Sequence, residues 1–195
     1  MSQKIEELKN QISQGNIEAM VQLGGLYYYG DDGIEPDQST AVDYYWQAAT
    51  AGSVRAMVLL GRHYQKLHNY SEAKRWFEEA IRKHDEPQAK LELGIIRFNY
   101  GETDAGLNLI NEGIAGIEAG NSSVIFDKLI HPHQSLSICL LLLSNVEYRK
   151  AGGDKEARKF LDKTMDNLPK LSSAEEAEIR ERFGDQIELA KRILY

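Results

Sequence analysis

Cysteine and long hydrophobic runs are scarce in this sequence. The single cysteine, Cys139, excludes an intramolecular disulfide. It lies in an apolar stretch without closely flanking basic residues, so we interpret it as a buried apolar residue. No run of about 18 apolar residues is present, which predicts that no segment crosses a membrane. The first residues also lack the apolar core of a signal peptide, so we expect a cytoplasmic protein.

Positive charge is also in short supply. The chain of 195 residues has 23 Lys and Arg against 30 Asp and Glu, which gives a formal net charge of −7. A surface that binds nucleic acid needs basic residues to displace counterions from the phosphates. The composition therefore argues against nucleic acid as a partner.

One arrangement of small and apolar residues occurs three times in the chain. Its first matched residue is Ala19 in the first copy, Ala56, 37 residues later, in the second, and Ala89, 33 residues later, in the third. Small residues on a helix face let a second helix approach closely. A period of this length predicts a stacked array of helix pairs. In the middle copy, helical spacing forms two stripes, one of Ala56, Leu60, Gly61 and Tyr64 and one of Ala73, Trp76, Phe77 and Ala80.

The first copy carries a longer motif. Residues 19–52 read A-x-x-x-L-G-x-L-Y-x-x-G-x-x-G-I-x-x-D, then A-x-x-Y-Y-x-x-A-A-x-x-G. This motif resembles the SEL-like repeat, and the second and third copies, with a shorter turn, are similar to tetratricopeptide repeats. The resemblance covers roughly residues 16–169. It implies an all-α, right-handed superhelical solenoid of antiparallel helix pairs, which binds other proteins and has no chemistry of its own.

The resemblance implies one helical-repeat domain that covers residues 1–195. Its predicted parts are an N-terminal helix (1–15), three repeats (16–52, 53–85 and 86–120), an insertion (121–132), a degenerate fourth repeat (133–169) and a capping C-terminal helix (170–195).

Local signals refine the expected helix ends. Ser39 and Ser71 should cap the second helices of repeats one and two, because a hydroxyl can accept from a free N–H in the first turn. Pro87 should open repeat three, since its missing N–H costs nothing at the first helical position. The second helix of repeat three contains Gly106, Gly113 and Gly116. These glycines indicate either close packing against a neighbour or a loose end to the array.

The resemblance also implies a binding face. In the similar families, the first helix of each pair lines the concave side, and positions between the packing residues are exposed there. Tyr and Arg are types that anchor protein interfaces. The alternative is that the tyrosines pack and the basic residues form a solvated stripe. The predicted partner-binding residues are Tyr28, Tyr29, Arg55, Arg62, Gln65, Lys66, Phe98 and Asn99. The same reasoning predicts solvent exposure on that side for Glu18, Val21, Gly25, Val58, Gln88, Leu91 and Ile95.

One familiar form of recognition does not fit this face. A groove that clamps a peptide C-terminal carboxylate needs Lys and Asn on the leading helix of the first unit. Val21 and Gly25 stand at those positions, so we do not expect that kind of clamp.

Candidates for chemistry are few. His131 and His133 flank Pro132, but their spacing does not place both on one helical face, and no third ligand stands at a typical offset. The other histidines, His63, His68 and His84, are expected on the surface. Nucleophile, phosphate-loop and metalloprotease motifs are absent from the sequence.

These observations together predict a non-catalytic scaffold or adaptor that binds another protein or peptide segment without a cofactor. Two alternatives stay open. One is a metal-assisted hydrolase that uses the His131/His133 loop. The other is a structural protein that forms a homo-oligomer through the exposed apolar side of the array.

Overall fold

The computed structural model describes residues 3–30, 33–124, 137–141, 143 and 153–194, and it is helical through almost all of them. The predicted all-α class is confirmed, since this part of the chain contains no strand. Residues 137–141 and 143 are helical as well. The helices are α1 (Gln3–Ser13), α2 (Ile17–Tyr29), α3 (Gln38–Thr50), α4 (Val54–Lys66), α5 (Tyr70–His84), α6 (Pro87–Asn99), α7 (Thr103–Glu118), α8 (Asp154–Asn167), the 3₁₀ turn Leu168–Lys170, and α9 (Ser173–Leu194).

Helices α2 to α7 form three hairpins stacked side by side. Each first helix (α2, α4 and α6) packs most extensively on the second helix that follows it (α3, α5 and α7). Neighbouring hairpins join where α3 contacts α4 and where α5 contacts α6, and α1 covers the open side of α2. In addition, α4 contacts α6 directly. The first helices therefore line one side of the array, which we call the inner face.

Each hairpin is closed by the same helix crossing. A glycine of the first helix lies against one large side chain of the second helix, so closely that a Cβ atom would overlap it. Real Cβ atoms do not approach other atoms to less than 3.0 Å. The repeated residue pattern of the sequence therefore corresponds to a repeated packing arrangement. The distances from an added Cβ atom are 2.6 Å from Gly24 to the Tyr45 ring, 2.4 Å from Gly61 to the Phe77 ring, and 2.8 Å from Gly94 to Ile110.

The glycines of α7 serve close packing, which decides between the two alternatives for that helix. A Cβ atom on Gly106 would lie 2.7 Å from the backbone nitrogen of Phe98. On Gly113 and Gly116 it would meet Leu91 and Pro87 of α6 at 2.7 and 2.6 Å. Helices α6 and α7 therefore approach each other closely along their whole length.

Two predicted helix caps are wrong. Helix α3 is capped by Asp37, whose carboxylate accepts from the Thr40 backbone N–H at 3.0 Å. Helix α5 is capped by Asn69, whose side chain accepts from the Glu72 N–H at 3.3 Å. Ser39 and Ser71 lie inside these helices instead, because Asp and Asn cap as well as Ser and stand two residues earlier. The prediction that Pro87 lies in the first turn of its helix is confirmed.

The C-terminal part packs on the third hairpin. Cys139 is buried as predicted, with its sulfur 4.0 Å from the carbonyl oxygen of Leu91. Asn167 of α8 donates to the Ser137 hydroxyl at 2.7 Å. Helix α9 starts with a capping box, in which Ser172 and Glu175 bond to each other's backbone N–H. It buries Ile179 and Ile187. None of the described helices is long and apolar enough to cross a membrane.

Candidate functional site

The inner face is held together by contacts between first helices of successive hairpins. Arg55 of α4 forms an ion pair with Glu18 of α2. Arg62, two turns further along α4, lies 3.6 Å from a carboxylate oxygen of Glu92 in α6. Within α6, Gln88 also donates to Glu92 at 3.2 Å. The two ion pairs thus link α2 to α4 and α4 to α6.

An aromatic cluster occupies the C-terminal ends of α2 and α4 on this face. The Tyr28 ring lies at its centre, with the Tyr29 ring 4.9 Å away and the Tyr45 ring 6.2 Å away. The His63 ring meets Tyr28 edge-on at 5.9 Å. The Lys66 ammonium lies over the Tyr28 ring, 5.6 Å from its centroid. We call these five residues the inner cluster.

Burial sets the protonation states of the inner cluster. It raises the pKa of Tyr28 and Tyr45, against a smaller opposing effect of nearby guanidinium groups. Burial, then Tyr28, and finally Glu175 raise the pKa of Tyr29, while Arg62 opposes them. Burial, and then the charge of Lys66, lower the pKa of His63. At neutral pH the phenols are therefore protonated and the imidazole is neutral, so Lys66 carries the charge of the cluster.

Two polar atoms of the inner cluster are buried without a hydrogen bond. They are the Tyr45 hydroxyl and Nδ1 of His63, neither of which has a partner among the described residues. Such atoms lose their bonds to water on burial and gain nothing in return, which costs free energy. Both rings contact Tyr28.

Six of the eight predicted partner-binding residues lie at the open part of the inner face. Tyr29 and Lys66 are exposed, whereas Tyr28, Arg55, Arg62 and Gln65 are half-buried. Phe98 and Asn99 lie at the end of α6, and no described ring contact joins Phe98 to the inner cluster. The binding role of all eight stays a prediction.

Most of the other residues expected on this face are not exposed. Of that set, Glu18 alone is exposed. Leu91 and Ile95 pack against the helical residues around Cys139, which cover α6. The prediction was wrong because it assigned exposure by position between packing residues, whereas these helices pack on more than one side. The buried residues are Val21, Gly25, Val58, Gln88, Leu91 and Ile95.

Sequence reasoning also missed residues that contribute to this region. His63 was expected on the surface but is half-buried in the inner cluster. Glu86, buried at the start of α6, accepts from the hydroxyls of Ser122 and Ser123 at 2.5 and 2.7 Å. Its carboxylate thus ties the chain after α7 to α6. No local pattern signals either arrangement, since both depend on contacts between distant residues.

The described residues include no group of three or more His, Cys, Asp and Glu side chains that could hold a metal ion. His131 and His133 lie outside the described residues, as does the rest of the predicted insertion beyond Val124. The hydrolase alternative therefore has no observation in its favour.

The sequence profile of the Sel1 repeat family matches residues 17–53 and 54–85, which are the hairpins α2–α3 and α4–α5. The first two hairpins of this chain are therefore similar to Sel1 repeats. Sel1 repeats mediate interactions between proteins and are typically non-catalytic scaffolds. The two matched repeats are also the ones that form the inner cluster.

One curated relative matches part of this chain. Over 59 residues, the chain is 36% identical to the ERAD-associated E3 ubiquitin-protein ligase component HRD3A of Arabidopsis thaliana. The match covers 30% of this chain and 9% of that protein. The chain therefore corresponds to a small part of this curated relative.

Two solved structures share the solenoid fold of this chain. One is c5321, a protective antigen of uropathogenic Escherichia coli strains with an SLR fold, at a TM-score of 0.62 and 19% identity. That match covers 98% of this chain and 43% of c5321. The other is a Sel1 repeat protein from Oxalobacter formigenes, at a TM-score of 0.53 and 14% identity, with 83% and 78% of the two chains covered. The predicted all-α solenoid is confirmed.

Proposed function

We propose that this chain is a non-catalytic adaptor that holds a segment of another protein against the inner face of its first two repeats. The observation that supports this most strongly is the inner cluster, a group of packed rings that leaves Tyr29 and Lys66 exposed within repeats of an interaction family. Cytoplasmic location and homo-oligomer formation stay predictions.

The inner cluster has the chemistry of an interface anchor. Tyr29 is 47% exposed, and Tyr side chains are enriched among residues that dominate protein–protein binding. Its neighbour Tyr28 is already held between Tyr29, Tyr45 and His63. Because these rings are ordered before a partner arrives, little conformational entropy is lost on binding.

The chain contains a matched pair of residues that tests this proposal. Tyr29 on α2 and Trp46 on α3 are 47% and 49% exposed, but they lie on the first and the second helix of the same hairpin. We expect Tyr29→Ala to reduce the recovery of bound proteins from the native host by roughly five- to thirtyfold, the usual effect of removing an anchor residue. Trp46→Ala should leave recovery unchanged.

Both variants must melt within a few degrees of the wild type, because neither truncation opens a buried core. Equal recovery of partners by Tyr29→Ala and the wild type would contradict the proposal. Loss of partners with Trp46→Ala alone would place the interface on the second helices.

A further inference from the structure

The inner cluster has many hydrogen-bond donors and few negatively charged acceptors. Around Tyr28 stand two further phenols, an imidazole and an ammonium group. No carboxylate bonds to Tyr28, Tyr45, His63 or Lys66 in the part of the chain that is described. The positive charge of Lys66 is therefore not paired with a carboxylate among the described residues.

Two described carboxylates of the inner face are already engaged. Glu18 pairs with Arg55 at one side, and Glu92 pairs with Arg62 at the other. Lys66 differs from both arginines, because its described contact is the stacking of its ammonium on the Tyr28 ring. Because Lys66 is exposed, its ammonium gains only a modest attraction from the Tyr28 ring and stays available to an anion.

From this imbalance, and resting on the proposed function above, we propose that the inner cluster receives an aspartate or glutamate side chain from an extended segment of the partner protein. A carboxylate beside Lys66 gains a charge-assisted bond from the ammonium and a further bond from the Tyr28 hydroxyl.

One further observation favours a carboxylate side chain over a C-terminal carboxylate as the ligand. A C-terminal carboxylate clamp would need Lys and Asn where Val21 and Gly25 stand, and these two positions are buried.

The test uses two blocked peptides and one matched pair of lysines. The peptides are dodecamers of Gly and Ser with Glu, or Gln, at every third position, acetylated and amidated so that they carry no terminal charge. Lys66 and Lys74 both stack on a tyrosine ring at 5.6 Å. Lys74, however, belongs to α5, stacks on Tyr100 just after α6, and pairs with Glu102. Binding is measured by fluorescence polarisation at low and high salt.

We expect the full chain to bind the Glu peptide at least about fivefold more tightly than the Gln peptide, as charge-assisted hydrogen bonds at a partly buried site allow. Lys66→Met should abolish this preference, whereas Lys74→Met should keep it. The preference should also shrink at high salt, because salt screens exposed charges.

Equal binding of the Glu and Gln peptides, including no binding of either, would overturn this inference. An equal loss with Lys74→Met would overturn it too, because the effect would then follow net charge. Tight binding of a Gln peptide with a free C-terminus would assign the site to a terminal carboxylate instead. If Tyr29→Ala still loses the natural partner in these cases, the proposed function stands and only the acidic ligand is wrong.

Discussion

At the scale of single residues, the absence of a side chain matters as much as its presence. Gly61 has ordinary helical geometry, so its backbone does not require glycine. The Phe77 ring requires it, because a Cβ atom would lie 2.4 Å from that ring. This role could be predicted from the sequence, since Gly61 recurs with its neighbours in three copies. The half-burial of His63 could not, because it depends on Tyr28 from another helix.

We predict that Gly61→Ala destabilises the protein even though alanine is the better helix former. Ala gains up to about 1 kcal/mol in helix propensity, but overpacking a core typically costs about 1–3 kcal/mol. The control is Gly184→Ala in α9, where an added Cβ meets nothing within 4 Å, and which should stabilise by up to about 1 kcal/mol. Urea unfolding measures both.

Phe77→Leu in the Gly61→Ala background should recover part of the loss, because it removes ring atoms that the new methyl group meets. A double-mutant cycle gives this coupling. If the Gly61→Ala single variant is as stable as the wild type, that result contradicts the close helix crossing at Gly61.

His63 should make stability depend on pH. Burial and Lys66 lower its pKa in the folded chain, whereas the unfolded chain keeps a value near 6.5. Below that value the unfolded state binds the proton more readily, so stability is full above about pH 6.5 and falls as the pH drops towards the folded pKa. The other groups facing the ring are Tyr28 and Tyr64.

His63→Asn should therefore lose less stability between pH 7.5 and 5.5 than the wild type loses. His84→Asn, at an exposed position, is the control and should behave as the wild type does. The midpoint of urea unfolding at the two pH values measures this loss of stability. If the wild type and His63→Asn show the same pH dependence, His63 is not its cause.

At the scale of helices, the start of a helix depends on which nearby polar side chain accepts from the free backbone N–H groups of its first turn. The sequence pattern predicts helices over about 3–13, 17–29, 103–118 and 154–167, and these are the bounds of α1, α2, α7 and α8. It missed the starts of α3 and α5 because Ser, Asp and Asn all act as caps, and several of them stand close together. Sequence alone does not rank such neighbours.

Helix α5 offers a direct test of the observed cap. Asn69→Ala should destabilise the protein by about 1 kcal/mol, within the usual range for a lost N-cap, because it leaves the Glu72 N–H without its acceptor. Ser71→Ala, two residues into the helix, should change stability by less than about 0.5 kcal/mol. The midpoint of urea unfolding distinguishes the two, and a larger effect at Ser71 would restore the cap that the sequence suggested.

At the scale of the whole molecule, the stacking order follows from sequence far better than the accessible surface does. The repeated glycines predict the three equivalent crossings, because each crossing forms within one hairpin. Exposure on the inner face depends on neighbours that are distant in sequence, such as the residues around Cys139 that bury Leu91 and Ile95. As a result, the open part of the face lies on repeats one and two.

The central claim is that this open inner face, and not the outer side of the array, holds the partner. Photo-crosslinking from two glutamine positions tests it most directly, with benzoylphenylalanine placed at Gln65 on α4 or at Gln47 on α3. In the native host, the residue at position 65 should form a covalent adduct with the partner protein, and the one at position 47 should form none. Adducts from position 47 alone, or equally from both positions, would contradict this account.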